Sequence, residues 1–424
     1  MNKYLSIILT AVFILLAASL VLFDLDIIKE ADPSQTTEKP VSATTSEAST
    51  DRNVTFVDMY TSGLKFELNF KGDAYVVTGI ECTKDEVIII PHSYSGKPVT
   101  EIGDYAFHHN TTIKYVKLPE TVTKINDYAF WGCTSLIEVI HNDTVTYVGN
   151  SAFAESGINS FKLRGDTLFI GENAFKDCTA LEEIYLEGNM QSLGKSAFSD
   201  CSALSSVTLP DSLETIGEAA FKECHLINKI NVPKSLKVIE DEAFAECQNI
   251  STISLPDTVT DVGYFAFRGC LSLTDFRFSA SMSKIPTGMF SGCISLTSIG
   301  IPDNIKEIGS EAFRNTPISR IILPKDLTVL LPGIFYCCDK LKELNIPTSV
   351  TTISSLAFYG CEDLETLYIP KNVSSIADTA FSGCTSLTSI TVSEQNEHFV
   401  IEDGKLISKK DGQIIFAPQK DNKQ

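Results

Sequence analysis

The chain is short of positive charge: 34 Lys and Arg face 54 Asp and Glu among its 424 residues, for a formal charge of −20 at pH 7. A field of that sign repels phosphate backbones and anionic lipid, and it argues against nucleic acid as a partner. Basic partners or divalent cations suit it better, and a long exposed surface also needs such charge for solubility. The motifs of catalysis are missing as well. There is no H-E-x-x-H, no G-x-S-x-G, no phosphate-cradling Gly loop and no C-x-x-C pair. The acidic residues do not recur as the close inward pair that hydrolysis by two carboxylates needs. His108 and His109 diverge on a short turn, with no further His or Cys pair nearby, and read as surface polar residues. The composition points to a protein that is not an enzyme, with no catalytic residue, no cofactor and no metal.

Charge is also absent from Leu5–Phe23, where Ser6, Thr10 and Ser19 are the polar members. At 1.5 Å rise per residue that run spans about 28 Å, close to the roughly 30 Å of bilayer hydrocarbon. Two readings fit. Residues 5–23 form an uncleaved membrane anchor with residues 1–4 as a cytoplasmic tail, or they form a signal sequence cut near Ala17 and Ser19. Lys3 before the run and Asp24 and Asp26 after it orient the remainder outward. Residues 31–55 are rich in Ser, Thr, Pro and Glu and nearly free of large apolar groups, so 24–61 is expected to be a disordered stalk. Either reading exports the rest of the chain, to the cell surface or as a secreted form.

At 424 residues the chain exceeds the size at which single cores stop growing, so it should be multi-domain or elongated. Its order lies in a refrain. Phe107, Phe130, Phe153, Phe175, Phe198, Phe221, Phe244, Phe267, Phe290, Phe313, Phe335, Phe358 and Phe381 follow each other at 23 residues, with two gaps of 22. Ala precedes nearly every one; Ile334 stands before Phe335. Cys follows three residues later in ten of the thirteen units, Leu or Ile six later in most, and an aliphatic nine later in nearly all. Pro stands twelve later in eight, once a one-residue deletion is allowed. This spacing matches neither the 3.6 period of a helix nor the 2 of a strand.

A period of 20–29 with a Leu-x-x-Ile-x-Leu core belongs to the leucine-rich repeat class, in which each repeat is one coil of a solenoid. Ordering one such coil costs more than burying its apolar side chains returns, so a coil is stable only against its neighbours. In the coil that starts at Phe198, Leu204, Val207 and Leu209 point inward, and Pro210 ends the strand because it cannot donate to a ladder. Leu213 and Ile216 fill the core from the return segment, Gly217 allows a tight entry, and Ala220-Phe221 begins a short helical turn.

Twelve Cys would mean a disulfide framework in a small secreted domain. Here ten of them (133, 178, 201, 224, 247, 270, 293, 338, 361 and 384) fall at one position per coil. Stacked about 5 Å apart, such equivalent side chains rarely meet the dihedral of a disulfide, so they read as small buried groups with a weak donor. Asn110, Ser156 and Thr316 fill the same slot, which favours packing over redox chemistry. Cys82 and Cys337 lie off the register.

The stretches IGEAAFKECHLINKINVP (216–233) and IEDEAFAECQNISTISLP (239–256) resemble the BspA-like leucine-rich repeat family, whose coil reads I-G-x-x-A-F-x-x-C-x-x-L-x-x-I-x-L-P. YVVTGI followed by DEVIIIPHSYSGKPVTEIGDYAF (within 75–107) resembles the lead-in of that family, and NEHFVIEDGKLISKKDGQIIFAP (396–418) its closing hairpin. The fold expected is an α/β repeat solenoid of about 13 coils of 22–23 residues, with a parallel β-sheet on a concave face. Residues 104–392 form the solenoid, 62–103 an N-terminal cap, and 393–424 a C-terminal β-hairpin cap and tail. The resemblance implies a cell-surface protein that attaches to host matrix proteins or other cells, so extracellular proteins or cell-surface ligands are the expected partners. A structural spacer with no tight ligand is the alternative.

Binding is expected on the strand residues that point away from the core. The middle coils carry small polar residues there, and larger ones cluster in the first four coils. The candidate contacts are Tyr115, Lys117, Ile140, Tyr185, Arg277, Arg320 and Tyr368, with Tyr115, Ile140 and Tyr185 as one patch.

Overall fold

A computed structural model describes residues 60–81, 84–165 and 169–418. The tail 1–4, the apolar run 5–23, the stalk up to residue 59, Cys82 and the end of the C-terminal tail lie outside the described residues. Each coil is named here by its Phe, from coil 1 at Phe107 to coil 13 at Phe381.

Every coil contributes to up to two parallel ladders. In coil 5 the strand Ser206–Thr208 pairs with Glu183–Gly188 of the coil before, Ile184 facing Val207. After the corner at Pro210, Thr215–Ile216 pairs with Ser192–Leu193 in the same sense. This second ladder was not expected from the sequence. Its strands are two residues long, one pointing in and one out, yet they run unbroken from Lys97–Ile102 to Asp261–Val262. The corner between the ladders is clamped by a short polar side chain that reaches back one coil. Ser212 donates to the Gly188 and Met190 carbonyls, Asn304 to Ala280 and Met282, and Ser349 to Lys325 and Leu327.

The turn side departs from expectation: among the described residues there is no helix, so the fold is a β-solenoid rather than α/β. The reason is backbone handedness. Ala219 and Glu223 flank Phe221 with φ of 53° and 60°, and the same two positions are left-handed around nearly every Phe. A left-handed residue ends a right-handed helix. The backbone instead makes linked turns, Ala220 N donating to Gly217 O and Cys224 N to Phe221 O. Between them Phe221 N donates to Ala243 O and Glu223 N to Ala245 O of the next coil, so amides that a helix would use internally bind coil to coil. Gly217 is needed at the entry because a Cβ there would lie 2.6 Å from Leu193 O of the preceding coil.

The thirteen Phe rings form one continuous stack inside the solenoid. Their centroids are 5.1–6.5 Å apart, with neighbouring planes within 22° of parallel. The widest step, 6.5 Å between Phe267 and Phe290, occurs where Phe276 leans edge-on against both rings. Met289 and Ile334 replace Ala in two coils and are fully buried.

Beside the rings runs the column of thiols. All ten register Cys are free and buried, and each donates its Sγ–H to the carbonyl of the Phe one coil earlier, from Cys133 onto Phe107 O at 3.0 Å to Cys384 onto Phe358 O at 3.0 Å. The thiol therefore fills a small slot and also gives the Phe carbonyl a partner in the next coil. At the start of the array Leu64–Leu68 pairs antiparallel with Tyr75–Ile80, which pairs parallel with Lys97–Ile102. At its end Phe399–Glu402, Lys405–Ser408 and Ile414–Phe416 form three antiparallel strands, one more than a hairpin, and Phe416 sets its ring edge-on to Phe381.

Candidate binding surface

On the first ladder side chains alternate inward and outward, so the period of the sequence selects the outward rows. One row runs from Val87 through Tyr115 to Glu138, the other from Ile89 through Lys117 to Ile140. Tyr115, Lys117 and Ile140 thus lie together at the start of the ladder. Val87 and Ile89, which the sequence reading left out, join them from a strand before coil 1. Ile140 is 42% exposed and Val87 51%, so the patch is half apolar and open to solvent.

Tyr185 stands apart from that patch. It lies two coils beyond Ile140 and pairs with Lys162 in the row between them. Its hydroxyl donates to Glu187 Oε1, and the Arg164 guanidinium sits 5.1 Å from its ring centroid. Arg164 also faces Glu187 at 3.7 Å and Asp143 at 4.0 Å. The Glu187 carboxylate pushes the Tyr185 hydroxyl above its ordinary range. This cluster exists because the strands Ser160–Gly165 and Glu183–Gly188 run six residues, longer than the other strands of the first ladder. Gly188 closes the extension with φ 125°, its α-carbon turned against Gly165 O so that a Cβ would lie 1.8 Å away. Arg164 and Glu187 fell outside the predicted contacts for that reason: they follow the rows that the repeat defines.

The remaining candidates are dispersed. Arg277 is folded back, Nη1 donating to Leu255 O at 2.6 Å and Nη2 to Asp257 at 3.1 Å. Arg320 is exposed and faces Glu343 at 3.5 Å; Ile322 on the same strand is 79% exposed and lies opposite Asn345. Tyr368 is 48% exposed and lies opposite Thr391.

Aromatic groups outside the first ladder were missed as well. On the turn side Tyr105 stacks on Tyr128 at 4.7 Å, and His109 packs on Trp131 at 4.3 Å, so the two adjacent His belong to an aromatic cluster. The only Trp of the chain, one residue after a register Phe, was the available signal. On the second ladder Tyr147 stacks on Phe169 at 4.8 Å.

Burial holds the register thiols in the neutral form, pushing Cys133, Cys293, Cys338 and Cys384 up to about 12 from an ordinary 9.0. Protonated thiols are poor nucleophiles and poor ligands, in keeping with a packing role. Cys337 is half-buried in a left-handed turn, and burial raises it too. Among the described residues no group of three or more His, Cys, Asp or Glu is placed to hold a metal ion, and no helix is long and apolar enough to cross a membrane.

A stack of near-identical coils with parallel ladders and an aliphatic interior defines a leucine-rich repeat solenoid. Residues 100–228, 214–339 and 318–403 match the BspA type leucine rich repeat region, and the chain belongs to that family. Among solved structures it is similar to a leucine rich cell surface protein of Faecalibacterium prausnitzii, 26% identical, covering 79% of this chain and 94% of that one with a TM-score of 0.50. A leucine-rich repeat protein of Bacteroides ovatus has the same fold, 23% identical over 80% of this chain and 100% of that one, TM-score 0.57. None of the curated proteins matches. Proteins of this class are generally non-catalytic modules for protein interaction.

Proposed function

We propose that the chain is a non-catalytic cell-surface protein whose first ladder serves protein recognition or adhesion. The observation that carries this reading is the open patch of Val87, Ile89, Tyr115 and Ile140 around Lys117, where aromatic and aliphatic anchors stand free on a rigid sheet. The family resemblance implies ligands on host matrix or cell surfaces, and the F. prausnitzii relative is described as a cell surface protein. In this reading residues 5–23 anchor the chain or direct its export, and 24–61 hold the solenoid away from the membrane. In the same reading residues 62–103 and 393–424 cap the array, supported by Tyr75–Ile80 pairing with Lys97–Ile102 at one end and by Phe416 packing on Phe381 at the other.

The test is a binding screen of the full chain against matrix proteins, repeated with Tyr115 and Ile140 both changed to Ser. A saturable partner whose affinity falls at least tenfold in the variant supports the reading; unchanged affinity removes this patch. A spacer role is the second reading, favoured by the small polar pairs Ser206/Thr208 and Thr252/Ser254 on first-ladder strands. The absence of any saturable partner across the panel would select it.

A further inference from the structure

The outer face of the second ladder carries a groove of about 1070 Å³ across coils 3 to 6. That volume is slightly above the usual range of ligand pockets, about 300–1,000 Å³. Its floor is backbone. Gly171, Gly194 and Gly217 follow one another up the stack, each too close to the preceding coil to carry a side chain. One end is closed by an aromatic wall. Tyr147 and Phe169 stack across coils 2 and 3, and the next coil continues the ladder with Ile170 facing Leu193, so Ser192 follows Phe169 in the outward row. The stack stops there. A ring followed by a Ser leaves one face uncovered toward the groove, and Phe169 is 44% exposed.

The remaining lining is polar and differs from the rest of the ladder. Asn189 and Gln191 are exposed, and neither side-chain amide bonds another described residue. Corner residues at the place of Asn189 elsewhere reach back to the previous coil, as Ser212 does. Lys195 is neutralised by Glu218 and Glu214 by Lys237, both at 2.8 Å, which leaves Glu172 and Glu240, among the described residues, as the carboxylates outside any ion pair along the sides. The site therefore offers a flat apolar ring, free amide donors and acceptors, and carboxylates, with no unpaired cation to hold an anion.

We propose that this groove binds a segment of neutral oligosaccharide. Sugar C–H groups would lie on the open face of Phe169, and hydroxyls would exchange hydrogen bonds with Asn189, Gln191 and the carboxylates. An anionic ligand is repelled by the carboxylates, and an apolar peptide finds one ring and a polar trough. The inference does not rest on the reading of the first ladder, since the two faces point to different sides of the coil.

The test is affinity electrophoresis of the full chain in gels cast with soluble starch, mannan, xylan or mixed-linkage glucan. Retardation in at least one gel is expected. It should weaken at least tenfold in Phe169→Ala and persist in Phe169→Tyr. Ser192→Tyr, which covers the open ring face while keeping Phe169 in place, should also abolish it; this variant decides the matter if Phe169→Ala does not fold. Tyr336→Ala, in a stack on the turn side, should leave it intact. No retardation in any gel, or retardation unaffected by Ser192→Tyr, overturns the proposal. So does a random peptide library that yields binders lost in Ser192→Tyr while no gel retards the chain, which would assign the groove to a protein partner.

Discussion

Coils 3 and 4 and coils 5 and 6 share an interior and differ at the corner. Phe153, Phe175, Phe198 and Phe221 are all fully buried in one stack. In coils 5 and 6 the first-ladder strands stop at Thr208 and Ile230, ahead of Pro210 and Pro233. In coils 3 and 4, where that Pro is missing, the strands run on to Gly165 and Gly188. The extension lifts the Arg164, Tyr185 and Glu187 cluster out of the surface and ends beside the polar groove. Stacking thus depends on a few inward slots, and the corner is free to vary without disturbing them.

If the interior is common to both regions, its thiols should behave alike. A buried thiol stays neutral while the unfolded one ionises from 9.0 upward, so above that pH the unfolded chain binds fewer protons. Their contribution is fully present below pH 9.0 and is lost as pH rises toward about 12. The loss should run at about 1.4 kcal/mol per pH unit for each thiol, which makes alkaline unfolding the largest effect expected of the whole column. Cys178→Ala in coil 4 and Cys224→Ala in coil 6 should each reduce that slope by one thiol's share in denaturation measured across this pH range. A reduction in one region only would break the comparison.

Next in size, Phe175→Ala and Phe221→Ala should each cost about 3–5 kcal/mol as large core deletions. Denaturation midpoints that fall for one and not the other would mean that the stack is not shared. A smaller effect isolates the corner. Gly188→Ala forces a Cβ against Gly165 O at φ 125° and should cost about 1–3 kcal/mol, whereas Gly300→Ala, with nothing within 4 Å, should be silent in the same assay. Smallest of all, Thr252→Ala on the outward row should stay within about 0.5 kcal/mol.

The inside of the coil was legible because the register repeats thirteen times, so Leu204, Val207 and Ile216 could be placed inward by phase alone. The thiols were legible as packing groups because Ser156 and Thr316 share their slot. The turn side was not. Its left-handed positions hold residues as different as Tyr105, Ser151, Glu242 and Phe265, and the bonds between coils impose a backbone that no local propensity announces. Gly132, Gly269, Gly292, Gly360 and Gly383, each two residues after a Phe, were the signal that no helix forms there. The outward rows followed from the period, so Tyr115, Lys117 and Ile140 could be grouped. Arg164 and Glu187 could not, because they lie on a strand extension that coils 2 and 8, which also lack the Pro, do not make, so the missing Pro alone does not announce it.

The central claim is that each coil is stable only through its neighbours, so the array should tolerate loss of a whole coil and fail on loss of part of one. Deleting Phe221–Ala243, 23 residues, joins Ala220 to Phe244 in register, whereas deleting Phe221–Asn231, 11 residues, does not. Thermal unfolding followed by circular dichroism should show one cooperative transition for the full-coil deletion, close to that of the parent, and none for the partial one. Equal behaviour of the two deletions would contradict the account.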